Sequence, residues 1–365
     1  MPAKKGNSKS RKAGSLWVAP FRWLTLLFVT GFLLSLMAGW ISPEMFWPLS
    51  IMGLFFPWLL LGIVLLAIFW SYRRSWRVLL PLACILLGWP QLRSFIGLGS
   101  SLTVSAEQKA LKVLSFNIHS LNHFNYLKAE ERSSAFLQAV KLDDYTLLAI
   151  QELPTNESSR KGLVKGLAEK GFRYQVSNDG KGLSLFSRLP LKEKGRLPFG
   201  NRFNGAVFAE VEWQGERIRI YNVHLQSNKV SAVAEELLSE ETVRLDERKT
   251  WMNIRAMLAR FKNKAQLRAR QVRELCAHIK SSPHPVIACG DFNDTPQSYT
   301  YAQMTSLLKD GFRERGQGLG TTYRGKIPAL RIDYLFSDPS LVLLQYDVLP
   351  LRVSDHYPVE ATFSR

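Results

Sequence analysis

Cysteine is scarce in this chain. Its 365 residues contain three, Cys84, Cys276 and Cys289, scattered too widely for a disulfide-stapled scaffold or a Cys-x-x-Cys zinc site. Acid is almost missing from the first hundred residues, where Glu44 stands alone against ten Lys and Arg. No unit of roughly 20 to 50 residues recurs, which excludes solenoids and propellers. Apolar residues are plentiful at 46%, so an intrinsically disordered chain is excluded as well. The length exceeds that of a usual single domain and leaves room for a catalytic-size unit plus an extra segment.

That extra segment is at the front. Between Arg22 and Glu44 lie 21 uncharged residues, and between Glu44 and Arg73 another 28. Each run exceeds the roughly 20 residues that a helix needs to cross a hydrocarbon core. A third run, from Val78 to Leu92, is shorter and contains Pro81 and Pro90. It reaches spanning length only if Arg93 snorkels to the interface. The expectation is a basic cytoplasmic tail at 1–16 and three transmembrane helices within 17–98, at about 22–42, 46–71 and 77–98. Lys and Arg crowd the N-terminus and the 73–77 loop and are missing from 41–47, which makes those first two segments cytoplasmic. A multi-pass protein of the plasma or inner membrane follows, with everything beyond residue 100 outside the cytoplasm. A cleaved signal peptide is the alternative for the first run, but its length and the span behind it favour an uncleaved anchor.

A polar linker at 99–110 precedes a different pattern. Short apolar runs at Lys112–Asn117, Leu147–Glu152, Val207–Trp213, Arg217–His224, Val286–Asp291 and Ile332–Ser337 alternate with helical stretches, the signature of a layered α/β domain over 111–365. Four of these strands end in a polar residue suited to chemistry: Asn117, Glu152, His224 and Asp291. Each alone is more often a strand cap, but ligands bind where strands emerge, and four such endings suggest one shared site.

The residues carry a resemblance. Leu114-Ser-Phe-Asn-Ile118, Ile150-Gln-Glu152, Tyr221-Asn-Val-His-Leu225, Gly290-Asp-Phe-Asn293, Arg331-Ile-Asp-Tyr334 and Ser354-Asp-His356 resemble, in order, the motifs of the endonuclease/exonuclease/phosphatase superfamily. The resemblance covers about residues 111–363. It implies a four-layer α/β sandwich, two mixed β-sheets flanked by helices, and a Mg²⁺-dependent hydrolase of phosphate esters, with Mn²⁺ as a substitute. Glu152 is implied as the main metal ligand, with Asn117 and Asp355 near the same ion or a second one. Asp291 is implied to orient or deprotonate the attacking water, Asn293 to fix that carboxylate or the phosphate, and His356 to contact a phosphoryl oxygen while Asp333 steadies it. His224 is implied as an acid or phosphate ligand, and Asn222 as a phosphate contact. Arg188 either touches phosphate or makes a structural salt bridge. Hard cations take oxygen ligands and keep several waters, so few carboxylates suffice. His119, His123, His278 and His284 fit no motif and are expected on the surface or in packing roles.

The substrate is open at this point. A His at 224 argues against an abasic-site endonuclease, and Pro328–Asp333 lacks the signature of the inositol-polyphosphate 5-phosphatases. Segment 244–273 carries ten basic residues against Asp246 and Glu247 within a helical stretch at 231–282. Trp251, Ile254, Leu258, Phe261 and Ala265 share one face of that stretch. Such a helix covers a sheet with a solvated cationic side, lies on an anionic bilayer or tracks a nucleic acid. Two enzyme readings stand: a membrane-anchored phosphodiesterase acting on phospholipid headgroups, and an extracytoplasmic nuclease. A degenerate binding module is disfavoured because Glu152, Asp291 and His356 are all present.

Overall fold

The apolar front of the chain breaks where it carries proline and glycine. The computed structural model describes residues 18–102, 110–178, 182–199, 204–227, 247–325 and 330–364. Helix α1 (Ala19–Met37) leads through a helical turn at Pro43–Phe46 into α2 (Pro48–Leu54), α3 (Phe56–Tyr72) and α4 (Leu79–Leu87), with a last turn at Trp89–Leu92. Of these, α1 alone is long and apolar enough to cross a bilayer, and α2 and α3, bent by 61°, make a second span only if taken together. Pro57 has no N–H to return to Gly53, so the helix stops at Leu54 and restarts beyond Phe55. The third stretch, Trp76–Leu87, is below spanning length, because Gly88 and Pro90 interrupt it. The expected three transmembrane helices at 22–42, 46–71 and 77–98 are therefore corrected: the described residues hold one candidate span, or two with the bent pair. The tail at 1–16 and residues 231–246 of the basic segment lie outside the described residues.

These helices pack on one another. Trp70 Nε1 donates to Thr25 Oγ1 at 2.9 Å, and the rings of Phe32, Phe56 and Phe95 stack in sequence. Outward they leave Trp23, Leu27, Trp40, Met45 and Leu86 each more than half exposed, which water-facing surfaces of monomeric proteins rarely do in such number.

The remainder folds as two six-stranded sheets with strands numbered in chain order. β1 is Gly97–Leu98. The first sheet runs β13 (Val342–Val348), β14 (Val359–Ser364), β2 (Leu111–Asn117), β3 (Leu147–Gln151), β5 (Leu183–Ser187), β4 (Tyr174–Ser177). The second runs β10 (Lys309–Asp310), β12 (Asp333–Ser337), β9 (Val286–Asp291), β8 (Glu216–His224), β7 (Gly205–Trp213), β6 (Leu191–Pro198). β2 and β3 are parallel, as are β8 and β9, and all other pairs are antiparallel. The inner faces meet through Val113, Ala149, Val207, Ile220, Ile287 and Leu335. Helices α5 (Ala129–Ala139) and α6 (Glu157–Glu169) cover the first sheet through Phe136, Leu163 and Leu167. Helices α7 (Glu247–Lys280) and α8 (Tyr299–Thr305) cover the second through Val272, Leu275, Ile279 and Met304. Strands buried on both faces explain the near-continuous apolar runs in β2, β3 and β9. The expected four-layer sandwich is what forms.

The expected linker is not a free tether where it is described. β1 pairs with β11 (Gln317–Gly318), Gly99 N–H donates to the Gly316 carbonyl, and Leu102 N–H donates to the Leu344 carbonyl. Further contacts join the apolar helices to the sandwich. Glu44 pairs with Arg270 and Arg273 on α7, and Gly53 packs against the Gln297 carbonyl just before α8.

Candidate active site

The register brings the polar strand ends together. His224 lies beside Asp291 across the parallel pair β8–β9, and Asp333 faces Asp291 across β12–β9. In the other sheet Asn117 is level with Gln151, and Glu152 follows directly. Gly290 lets this happen: at φ +141° it packs so tightly on β8 that a Cβ there would lie 1.9 Å from the Val223 carbonyl. Glu152 turns out of β3 with φ +53° and Asn293 leaves the loop after β9 with φ +54°, so both backbones bend where the site begins.

Asn117 spans the gap between the sheets. Its Nδ2 donates to Glu152 Oε1 at 3.0 Å and to Asp291 Oδ2 at 3.1 Å, while its Oδ1 accepts the His119 N–H. His224 Nε2 is 3.7 Å from both of the same carboxylates. Asp291 Oδ1 accepts the Asn293 N–H at 2.8 Å, and Asn293 Nδ2 donates to the Leu225 carbonyl. His356 turns Nδ1 to Asp333 at 2.9 Å, and its Nε2 lies 3.9 Å from Asp291. Ser354 locks the last motif in place by donating to the Asn117 carbonyl.

Electrostatics follow from burial and crowding. Burial first, and then the Asp333 carboxylate, push Asp291 above the usual carboxylate range, with His356 pulling the other way. Burial opposes charge on His356, yet Asp333, Asp291 and Asp355 outweigh it and carry the imidazole up to about 10. The protein thus holds a buried imidazolium beside the Asp333 carboxylate, with Asp291, pushed up to about 8, next to it.

Two groups have metal-ligand geometry: Glu152, His224 and Asp291, and Asp291, Asp333 and His356, with ligand atoms within 4.8 Å of one another in each. The first fits a divalent cation, because two carboxylates converge there and Glu152 remains one-third open to solvent. Of the residues expected around the ion, Asn117 lies against Glu152 and Asp355 is turned to His119. The Asn117 amide holds the two carboxylates through its nitrogen, and Asp355 Oδ1 faces His119 Nδ1 at 3.2 Å. Although burial opposes it, the His119 contact keeps Asp355 below its ordinary range, and the same contact raises His119.

His119 therefore sits at the site, where the sequence reading placed only a surface or packing residue. Its one signal was adjacency to the motif that ends at Ile118. Two other expectations are corrected. Asn222 is fully buried between the sheets, where Nδ2 donates to the Ile150 and Ser184 carbonyls and Oδ1 accepts from Gln151. All its polar atoms are committed, so it ties the sheets together and has nothing left for phosphate. Arg188 lies at the opposite end of β5 from the site, bonded to the carbonyls of Tyr145, Leu142 and Asp143 and stacked on Phe172.

Among known proteins, residues 114–356 match the Endonuclease/Exonuclease/phosphatase family, and residues 19–95 match a domain of unknown function. No curated protein matches. A structure of D. rerio TDP2 complexed with single strand DNA product superposes with TM-score 0.51 at 16% identity, over 70% of this chain and 100% of that one. The mannosyl-6-phosphatase Bt3783 of Bacteroides thetaiotaomicron VPI-5482 gives 0.49 at 18%, over 70% and 100%. Sphingomyelinase C from Streptomyces griseocarneus gives 0.45 at 18%, over 70% and 99%. The likeness to TDP2, at 16% identity, speaks to the fold alone, whereas the family match spans the whole site from β2 to His356: the chain belongs to the endonuclease/exonuclease/phosphatase family.

Proposed function

We propose that this chain is a membrane-anchored, Mg²⁺-dependent phosphodiesterase whose substrate is a phospholipid headgroup ester. Its family comprises divalent-metal-dependent hydrolases of phosphoric esters. The observation that carries the reading is the convergence of Glu152, His224, Asp291, Asp333 and His356 at one site. Glu152 and Asp291 would hold the metal, which supplies Lewis-acid neutralisation of phosphoryl charge. Asp291, fixed by the Asn293 N–H, takes the proton of the attacking water. His356, kept charged by Asp333, offers Nε2–H to a phosphoryl oxygen, and the same donor stabilises the added charge of the transition state. His224 and the His119–Asp355 pair flank the cleft and suit the leaving oxygen.

The lipid reading draws on the helices at the front. Their exposed Trp and Leu side chains suit hydrocarbon, and only five residues separate Asp291 from Gln297, which touches Gly53 of the α2 helix. A bilayer around those helices would therefore lie close to the site. A tethered nuclease is the second reading, favoured by the exposed Arg255, Arg260 and Lys262 on α7, which attract any polyanion.

The test sets supercoiled plasmid beside mixed phospholipid micelles, with the full chain in detergent and Mg²⁺ and Asp291→Ala as control. Headgroup release lost in the variant, without nicking, supports the lipid reading. Plasmid nicking lost in the variant makes the protein an anchored nuclease, and activity surviving in the variant overturns the site assignment.

A further inference from the structure

The seam between the apolar helices and the sandwich contains a buried charge cluster that the chemistry above does not use. Arg331 is 2% exposed. Its guanidinium donates to both carboxylate oxygens of Asp310, at 3.1 and 2.8 Å, and is enclosed by the rings of Phe312, Tyr334 and Tyr301. One further donor hydrogen goes to the carbonyl of Ser94, at 2.7 Å. Ser94 follows the last helical turn of the apolar segment and is itself 2% exposed. Its hydroxyl lies 3.3 Å from the Tyr301 hydroxyl, which donates to Asp310 at 2.7 Å. The residues that continue from it, Gly97–Leu98, then pair with β11. The N-terminal segment thus completes the surroundings of a charge buried in the catalytic layer.

Arg331 stands two residues before Asp333. Its own carbonyl and that of Asp294 both lie 2.8 Å from the Tyr334 hydroxyl, which shares its one hydrogen between them. The N–H groups of Ile332 and Asp333 both donate to Thr322 Oγ1, and the Ile332 carbonyl accepts the Phe292 N–H beside Asp291. A shift of Arg331 is therefore passed along a short, hydrogen-bonded backbone to the carboxylate that orients His356. A buried guanidinium stripped of one acceptor must either move or remain under-satisfied, since desolvated donors without partners are costly.

We infer that Arg331 is a positioning residue for the Asp333–His356 pair, and that its setting is completed by Ser94, so the N-terminal helices contribute to turnover and not only to location. This rests on the hydrolase reading above. A side chain at 97 tests it without touching Arg331 or any site residue, because a Cβ there would lie 2.3 Å from the Gly316 carbonyl oxygen and push the strap off β11. Full-length Gly97→Val is assayed with bis(p-nitrophenyl) phosphate, a soluble diester that needs no membrane. Hydrogen exchange at the 97–99 amides reports whether the strap has lifted. A misplacement of this kind lowers kcat by about ten-fold or more, with KM held within about two-fold, and the Nδ1–H resonance of His356 moves. Arg331→Lys, which keeps the charge and loses the fork, gives the same split.

If the strap lifts while kcat and the His356 resonance stay as in the unaltered chain, the inference is overturned. If Gly97→Val does not fold, Tyr301→Phe, which removes only the hydroxyl shared by Ser94 and Asp310, decides by the same two readouts. If the unaltered chain hydrolyses no phosphate ester, the hydrolase reading has failed instead, and the His356 resonance alone decides the positioning role.

Discussion

Asp291 and Asp333 face each other directly across the antiparallel pair β9–β12. Two charges in that position would repel, and with both side chains almost fully buried burial and the Asp333 neighbour hold Asp291 above the usual carboxylate range. His356 relieves the conflict by contacting both, Asp333 through Nδ1 at 2.9 Å and Asp291 through Nε2 at 3.9 Å. The motif that carries this imidazole is held in place by Ser354, which donates to the Asn117 carbonyl and accepts the His356 N–H. The arrangement stores charge where a phosphoryl group would need it.

Asp333→Asn removes the carboxylate and leaves the shape. Without it, burial dominates and the imidazole loses its proton near neutrality. Turnover should fall about 10²- to 10⁴-fold, the span usual for a misassigned proton donor, with melting temperature changed little. A titration of the His356 ring resonance checks the cause: it should move from about 10 toward its ordinary value. A variant that keeps both its turnover and its high titration point would show that Asp333 does not set the charge of His356.

The same pair makes stability depend on pH. The folded value for His356, about 10, is above the ordinary 6.5, so the folded state binds the proton more tightly. The stabilisation is complete below about 6.5 and is lost as pH rises through about 10. Melting temperatures of the metal-free chain in a chelator should therefore decline across that window. His356→Gln should flatten that decline, and an equal decline in the variant would place its origin elsewhere.

Motif order in the sequence was enough to group Asn117, Glu152, His224, Asp291, Asp333 and His356 as one site, because all but His356 lie at or next to a strand end and strand ends converge in a two-sheet sandwich. Side-chain direction was not legible. Asn222 is two residues before His224 on the same strand, and hence on the same side of the pleat, yet it is spent on the opposing sheet. His119 was missed because three successive left-handed residues, His119, Ser120 and Leu121, turn it back toward Asp355, and spacing does not encode such a turn. Hydropathy found the apolar front correctly but not its breaks, since an uncharged run counts Pro57 and Pro90 as silently as leucine.

The cysteines offer a probe of global folding. Burial pushes Cys276 and Cys289 up to about 12, and thiolate is the reactive form. Neither should react with iodoacetamide at pH 8 in the native chain, and both should react after unfolding in denaturant. Mass spectrometry of the modified peptides reads the outcome, and rapid native labelling at Cys289 would contradict its burial within β9.

Arg188 separates a structural from a catalytic basic residue. Its guanidinium closes the end of β5 by bonding three carbonyls, those of Tyr145, Leu142 and Asp143, and the strand direction places it a full strand length from Ser184 and the cleft. Arg188→Met keeps the contact with Phe172 and removes the bonds. Charged hydrogen bonds of this sort are worth about 1.5–3 kcal/mol each at most, and partial exposure of the residue reduces the total. The variant should melt lower, while KM and kcat per folded molecule stay within about two-fold of the unaltered chain. A KM raised about ten-fold or more, with the melting temperature unchanged, would restore the phosphate contact that its place in the sequence suggested.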